Sequence, residues 1–209
     1  MTPGHDAGRA VARGGTGPSN QQYSRSVTDT VWTLDASHGE LLVRTGVAGR
    51  AARMGHRLTI AMKRWQATVD WAANEPATAE LTVDVESLDV LRGEGGVKTL
   101  SGPEMAMVRS NALRSLNPSR FPQIRFTAET IEKTPDGYRL SGTLQIHGRT
   151  RKRVIDLCTE DLGDSWRMSS HAGVRQSDFG VRPYSLLMGS MKVADEVTVS
   201  FTATLAKEE

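Results

Sequence analysis

The chain of 209 residues is 38% hydrophobic and 24% charged, and its formal net charge is +2. This composition is typical of one soluble domain with a sizeable core, and so small a net charge argues against a nucleic-acid-binding function. No stretch approaches the ~20 consecutive apolar residues that a membrane-spanning helix needs, which excludes such a helix.

The first 28 residues have the composition of a disordered tail. "MTPGHDAGRAVARGGTGPSNQQYSRS" is rich in glycine, proline and serine and has no apolar run of the kind that a secretory signal contains. Residues 1–28 are therefore predicted to be a soluble, disordered tail, and residues 29–209 a single domain.

Cys158 is the one cysteine and cannot form an internal disulfide. Together with the missing signal, this favours a cytoplasmic location.

From Thr30 onward, alternation of apolar and polar residues is the dominant pattern. It marks about eight or nine strand candidates with one buried and one solvated face, which is typical of antiparallel sheets. Turn signals such as "NEP", "PDG" and "HGR" separate the candidates. In "MGHRLTIAM" the pattern predicts one apolar face that also carries His56: Met54, Leu58, Ile60 and Met62. In "YRLSGTLQI" it groups Leu140, Leu144 and Ile146.

One amphipathic helix is predicted between the strands, over about residues 103–116. Ser101 and Glu104 form a capping box, and Pro103 suits the first helical turn. Apolar residues then follow at helical spacing: Met105, Val108, Ala112 and Leu116. Asn117 and Pro118 end the helix. One helix among many short antiparallel strands indicates an all-β sandwich or a closed barrel.

The short motifs that resemble catalytic signatures lack their usual context. The "DFG" at 178–180 is not accompanied by the other protein-kinase motifs, and "RGEGGVKT" at 92–99 departs from the phosphate-binding pattern at Val97. The histidines show no paired-ligand spacing, which leaves only a site assembled in space: His38, His56, His147 and His171. No catalytic residue, metal ligand or cofactor is therefore predicted.

Five segments follow one another over about residues 30–206: "WTLDASHGELLV", "RFPQIRFTAETI", "GTLQIHGRTRKRV", "VRQSDFGV" and "MKVADEVTVSF". In this order they resemble the YceI-like family of polyisoprenoid-binding proteins. "WTLDASHGELLV" is similar to the opening strand of the family at Asp35 and His38, although Gly39 replaces the usual serine. "RFPQIRFTAETI", "GTLQIHGRTRKRV", "VRQSDFGV" and "MKVADEVTVSF" resemble the later segments. The segment "VRSNALRSLNPSRFP" departs from the family pattern, so the helix and the barrel mouth are expected to differ.

This resemblance implies an eight-stranded antiparallel lipocalin-like barrel with the helix near its mouth. It also implies non-enzymatic binding or carriage of an isoprenoid or another long-chain lipid inside the barrel, with a homodimer, the state of some members, as a further option. A transient contact with a membrane surface is a separate expectation, which rests on the basic stretch described below. The predicted ligand contacts are the following residues: Met54, His56, Leu58, Ile60, Met62, Val83, Met105, Val108, Phe126, Leu140, Leu144, Met168 and Phe179.

Two other functions stay open at this stage. In the first, the barrel is a structural or interaction domain filled by its own side chains, such as Trp65, Trp71 and Trp166. In the second, the protein is an enzyme acting on a small amphiphile, with His56 or Arg175 near the pocket.

The basic stretch from Arg149 to Arg153 carries four positive charges in five residues. The resemblance makes it a solvated hairpin loop. If that loop lies at the open end of the barrel, its arginines could meet a phosphate head group or an anionic membrane.

Overall fold

The structure, a computed structural model, describes residues 30–73 and 75–207. The predicted tail at 1–28 lies outside these residues. The described part contains one α-helix, α1 (Gly102–Leu116), and a single antiparallel sheet. Its strands are β1 (Thr30–Asp35), β2 (Gly39–Ala48), β3 (His56–Met62), β4 (Trp65–Ala72), β5 (Glu75–Asp84), β6 (Leu88–Gly95), β7 (Gln123–Thr134), β8 (Gly137–Ile146), β9 (Arg149–Asp161), β10 (Ser165–Arg175), β11 (Ser185–Leu186) and β12 (Met191–Ala206).

Three long strands are bent, and the bends explain why twelve strands form an eight-membered barrel. The strand pairs β1/β2, β3/β4 and β5/β6 each continue in one direction across a short break, and β11 is a two-residue addition to the edge of β12. Backbone bonds from Lys63 to Ser87 (3.1 Å) and from Asp84 to Arg64 (3.0 Å) join two of the breaks. When each bent pair is counted as one strand, eight strands follow one another as an up-and-down meander. The pairing of β12 with β2 closes this meander into a barrel. The predicted all-β, lipocalin-like fold is confirmed.

A layer of large apolar side chains closes one end of the barrel. Trp65 is only 4% exposed and packs edge-on against Phe201, with ring centroids 5.4 Å apart. Leu34, Met168 and Ala203 belong to the same cluster. A second cluster surrounds Phe126 and Phe179 on the opposite wall. We refer to the end formed by the β2–β3, β8–β9 and β10–β12 connections as the open end.

The helix α1 begins and ends where the sequence predicts, to within one residue. The Glu104 carboxylate accepts the backbone N–H of Ser101 at 2.8 Å and also pairs with Lys98 at 2.7 Å, and Asn117 ends the helix in the left-handed conformation (φ 52°). Arg109 donates to the carbonyls of Leu88 and Glu86 at 2.7 and 2.8 Å, which fixes the helix against β6. Among the described residues, no helix has the length and apolar character required to cross a bilayer.

The wall of the barrel is incomplete between β9 and β10. These strands pair only from Trp166↔Asp161 to Ser170↔Leu157, although both continue toward the open end. A second cavity of about 290 Å³ lies in the resulting gap, beside Leu144, Val174 and Val199. The backbone of β9 from Arg149 to Asp156 is therefore paired on its β8 side alone.

Candidate functional site

A central cavity of about 320 Å³ occupies the barrel between the Trp65 layer and the open end. Its size falls at the lower end of the range for small-molecule sites, and its wall is predominantly apolar. Side chains of α1 cover one side of it, among them Val108, Ala112 and Leu116. Such a cavity offers an apolar ligand shape and burial rather than many directional contacts.

Eight of the thirteen predicted contacts line this cavity: His56, Leu58, Ile60, Met62, Val83, Val108, Leu144 and Phe179. They come from β3, β5, β8, the helix and the Asp-Phe-Gly segment, so the topology brings distant parts of the sequence together. Whether they contact a ligand stays a prediction.

The other five predicted contacts do not line the cavity. Met54 is placed wrongly by the alternation argument, because it lies in a 3₁₀ turn (Ala52–Met54) before β3 and is 53% exposed. Phe126 and Met168 are buried within the two core clusters. Met105 and Leu140 are partly buried and pack against the clusters. Phe126, Met168, Met105 and Leu140 therefore contribute to the packing of the wall.

Several cavity residues were missed by the sequence analysis. The apolar faces of β2 and β12 contribute Leu41, Val43, Val197 and Val199, and the alternation in those strands could have identified them. The segment 181–186 also lines the cavity, at Val181, Tyr184 and Leu186. It has no periodic pattern, so no sequence signal marks it.

Few polar side chains line the cavity, and three of them form hydrogen bonds within the protein. The His56 ring nitrogen Nε2 lies 2.7 Å from the Lys98 carbonyl oxygen, Thr45 accepts the Leu58 N–H at 3.0 Å, and Gln176 donates to the Ala194 carbonyl at 2.9 Å. In the described part of the chain, three uncharged lining side chains form no hydrogen bond: Asn111, Ser115 and Tyr184. Asn111 and Ser115 lie one helical turn apart on α1.

The Asp-Phe-Gly segment acts as a structural clamp at the open end. Asp178 pairs with Arg153 of β9 at 2.8 Å, while Phe179 is 0% exposed beneath the Arg153 guanidinium, which lies 5.5 Å from the ring centroid. The preceding Ser177 donates its backbone N–H and its hydroxyl to the Asp195 carboxylate at 2.8 and 2.6 Å. These hydrogen bonds lower the pKa of Asp195. The segment thus joins β9, β10 and β12.

The basic hairpin between β8 and β9 lies at the open end, because Leu144 and Ile146 of β8 line the cavity. His147 and Gly148 adopt positive φ angles of 50° and 72°, as a two-residue hairpin turn requires. The Phe121 ring packs on this turn, 4.3 Å from the His147 ring. The Arg149 guanidinium lies against Gly180, Arg153 is held by Asp178, and Lys152 lies 3.9 Å from the Glu129 carboxylate, so three of the four charges have structural contacts.

The catalytic and metal alternatives gain no geometric support. Arg175 lies between the lining residues Val174 and Gln176, but its own side chain does not line the cavity and pairs with Glu196 at 3.5 Å. His56 lines the cavity, but its partner is a carbonyl and not a carboxylate. Across residues 30–73 and 75–207, no three histidine, cysteine or acidic side chains come together as metal ligands.

An up-and-down antiparallel barrel with an apolar interior that opens beside a helix defines the class of lipocalin-like binding proteins. The family model for the YceI-like domain matches residues 32–205, and the chain therefore belongs to the YceI-like family. The resemblance inferred from the five segments is confirmed. No curated protein matches the chain.

Two solved structures show the same fold. BcnA from Burkholderia cenocepacia is similar with a TM-score of 0.62 and 19% identity, over 83% of this chain and 99% of that chain. A mutant YCEI protein of Campylobacter jejuni is similar with a TM-score of 0.52 and 18% identity, over 72% of this chain and 85% of that chain. At these identities the likeness concerns the fold alone.

Proposed function

We propose that the protein binds a long-chain isoprenoid or a similar amphiphilic lipid in the central cavity and carries it without chemical conversion. The observation that carries this proposal is the apolar cavity of about 320 Å³ enclosed by the barrel and α1. Family membership supports it, because YceI-like proteins generally bind polyisoprenoids.

The hydrophobic effect supplies the affinity in this proposal. Each buried methylene contributes about 0.8 kcal/mol, so one five-carbon isoprene unit contributes roughly 4 kcal/mol. Part of this gain is offset by the lost freedom of the flexible chain. Because an isoprenoid tail has no directional groups, the cavity selects it by length and thickness.

The polar end of the ligand is proposed to lie beside α1. Asn111, Ser115 and Tyr184 line the cavity, and their side chains have no hydrogen bond within the described residues. An amide and two hydroxyl groups can both donate and accept hydrogen bonds, which suits a carbonyl, an alcohol or a phosphate oxygen.

A barrel filled by its own side chains fits less well. None of the three tryptophans considered for that role lines the cavity: Trp65 lies in the core layer, Trp71 packs on Trp32 at 4.5 Å, and Trp166 lies under the Lys207 ammonium at 4.4 Å. The cytoplasmic location and the homodimer stay predictions.

Native mass spectrometry of the full chain purified without detergent tests the proposal. We expect an added mass in the lipid range that organic extraction removes. Ala112→Trp should abolish it, because Ala112 lines the cavity and the indole would fill it. Ala106→Trp is the matched control, because Ala106 is exposed on the same helix and its substitution leaves the cavity free.

Thermal unfolding of both variants shows whether each one folds. A wild-type protein that carries no lipid and binds neither quinones nor polyprenyl phosphates would refute the proposal. Equal lipid binding by folded Ala112→Trp and Ala106→Trp would refute the assignment of the ligand to this cavity.

A further inference from the structure

Two loops at the open end form one continuous rim, which we define as residues 49–55 and 182–192. The Ala51 N–H donates to the Ser190 carbonyl at 2.9 Å, and Gly55 lies against the side chain of Met191. Residues of both loops, among them Gly55 and Leu186, also line the cavity. Whatever approaches the rim therefore approaches the entrance of the central cavity.

The rim exposes large apolar side chains at its tips. Met188 is completely exposed (105%), and its φ of 55° lies in the left-handed region, which methionine rarely adopts. Met54 and Leu186 are exposed beside it, and Val97 is exposed in the neighbouring loop after β6. A non-glycine residue in a strained backbone conformation that buries nothing is a feature more typical of a functional site than of a stable surface loop.

The same rim carries an excess of positive charge. Arg50, Arg53, Arg182 and Lys192 are exposed, and none of them belongs to an ion pair within the described part of the chain. The sequence has no acidic residue from 49 to 57 or from 180 to 194. The acid nearest in sequence, Asp195, stays anionic and offsets part of the charge of Lys192, so the excess positive charge of the rim rests mainly on Arg50, Arg53 and Arg182.

We propose that this rim docks on an anionic lipid bilayer, with Met188, Leu186 and Met54 inserted among the head groups and the four basic residues on the lipid phosphates. Exposed apolar tips surrounded by arginine and lysine are the combination that binds membrane interfaces. Docking in this orientation brings the cavity entrance to the bilayer, so the inference deepens the proposed lipid-carrier function and rests on it. We assign docking to the rim in preference to the basic hairpin, because two hairpin charges are already paired, Arg153 with Asp178 and Lys152 with Glu129.

Co-sedimentation of the full chain with phosphatidylcholine vesicles, with and without phosphatidylglycerol, tests the docking. We expect binding to the anionic vesicles that weakens with added salt. The double variant R50Q/R53Q should weaken this binding by about fivefold for each charge, which corresponds to about 1 kcal/mol per basic residue near the surface. Met188→Ser should also weaken binding, because a polar side chain gains little from the interface.

The closed end of the barrel offers matched controls. Val31→Ser removes an exposed apolar side chain there, and Lys133→Gln removes an exposed charge that has no ion pair within the described residues. Both should bind vesicles as the wild type does. Losses equal to those of the rim variants would overturn the proposal, as would wild-type protein that ignores the anionic vesicles.

A second copy of this chain could also cover the rim, so the experiments must distinguish self-association from membrane docking. If sedimentation velocity shows a dimer that Met188→Ser dissociates, the rim is an interface between copies of this chain, and membrane docking is wrong. Native mass spectrometry of the rim variants distinguishes the two proposals. Retained lipid with lost vesicle binding supports docking, whereas vesicle binding by a protein that never carries lipid refutes the carrier function alone.

Discussion

Replacing Phe179 by alanine should strongly destabilise the barrel. Its ring is 0% exposed, belongs to the second core cluster and packs beneath the Arg153 guanidinium. Removing a fully buried phenylalanine costs about 3–5 kcal/mol, from lost transfer free energy and from the void that remains. For a chain of this size, that loss corresponds to a fall in Tm of roughly 6–20 °C. The large loss of stability would reflect a structural role for this segment, in spite of its resemblance to a catalytic triplet.

Urea unfolding monitored by circular dichroism measures this loss, with Phe179→Leu as the control. Leucine retains much of the buried volume, so its cost should stay below about 1.5 kcal/mol. Because Phe179 also lines the cavity, Phe179→Ala should widen the site and shift the lipid masses that co-purify. A loss of stability below about 1 kcal/mol for Phe179→Ala would refute the view that this segment is a structural clamp.

Three further substitutions follow from single features. Hydrogen bonds and an ion pair with Lys98, and hydrogen bonds from Ser101, lower the pKa of Glu104 from 4.5 to about 2. The stability that this carboxylate contributes is therefore present above pH 4.5 and is lost as the pH falls toward 2. Glu104→Gln should make the urea unfolding midpoint less dependent on pH across that range. The indole N–H of Trp65 is buried without a partner in the described residues, so replacing it removes no hydrogen bond. Trp65→Phe should therefore lower the free energy of unfolding in urea by less than the ~3–5 kcal/mol of a Trp→Ala change, and an equal loss would contradict this. Gly148→Ala should lower the Tm more than Gly163→Ala, because both have positive φ but only the first would place a Cβ against Phe121, at 2.6 Å; equal shifts would contradict the clash.

The sequence predicted the sheet and the helix because both depend on local patterns. Alternation follows directly from the geometry of a half-buried strand, and the Ser101–Glu104 cap and Asn117–Pro118 stop are local signals that no distant contact overrode. The sequence predicted eight or nine strands and the structure has twelve, because a bend divides a strand without interrupting its alternation of apolar and polar residues. Lys63 and Arg64, for example, separate two strands that continue in the same direction.

The site was less predictable, since a cavity depends on how distant segments meet. Met54 was predicted as a ligand contact because the alternating pattern of β3 was extended backward through Gly55. The chain turns at this point and exposes the Met54 side chain. The segment 181–186 reaches the cavity through its β11 pairing with the start of β12 and not through any periodicity. Phe179 reached the list of predicted contacts through the family resemblance, and its contacts with Arg153 and the second cluster appear only in three dimensions.

The pairing of β12 with β2 has a consequence for the order of folding. This seam joins residues 39–48 to residues 192–203, so the barrel cannot close until residue 203 has left the ribosome. Pairing over such a separation is entropically slow, and the apolar wall of the nascent sheet faces solvent until it forms. A lipid held against the unclosed sheet would be enclosed at that moment. Synthesis in the presence of the ligand is therefore expected to raise both the yield of folded protein and the fraction that is loaded.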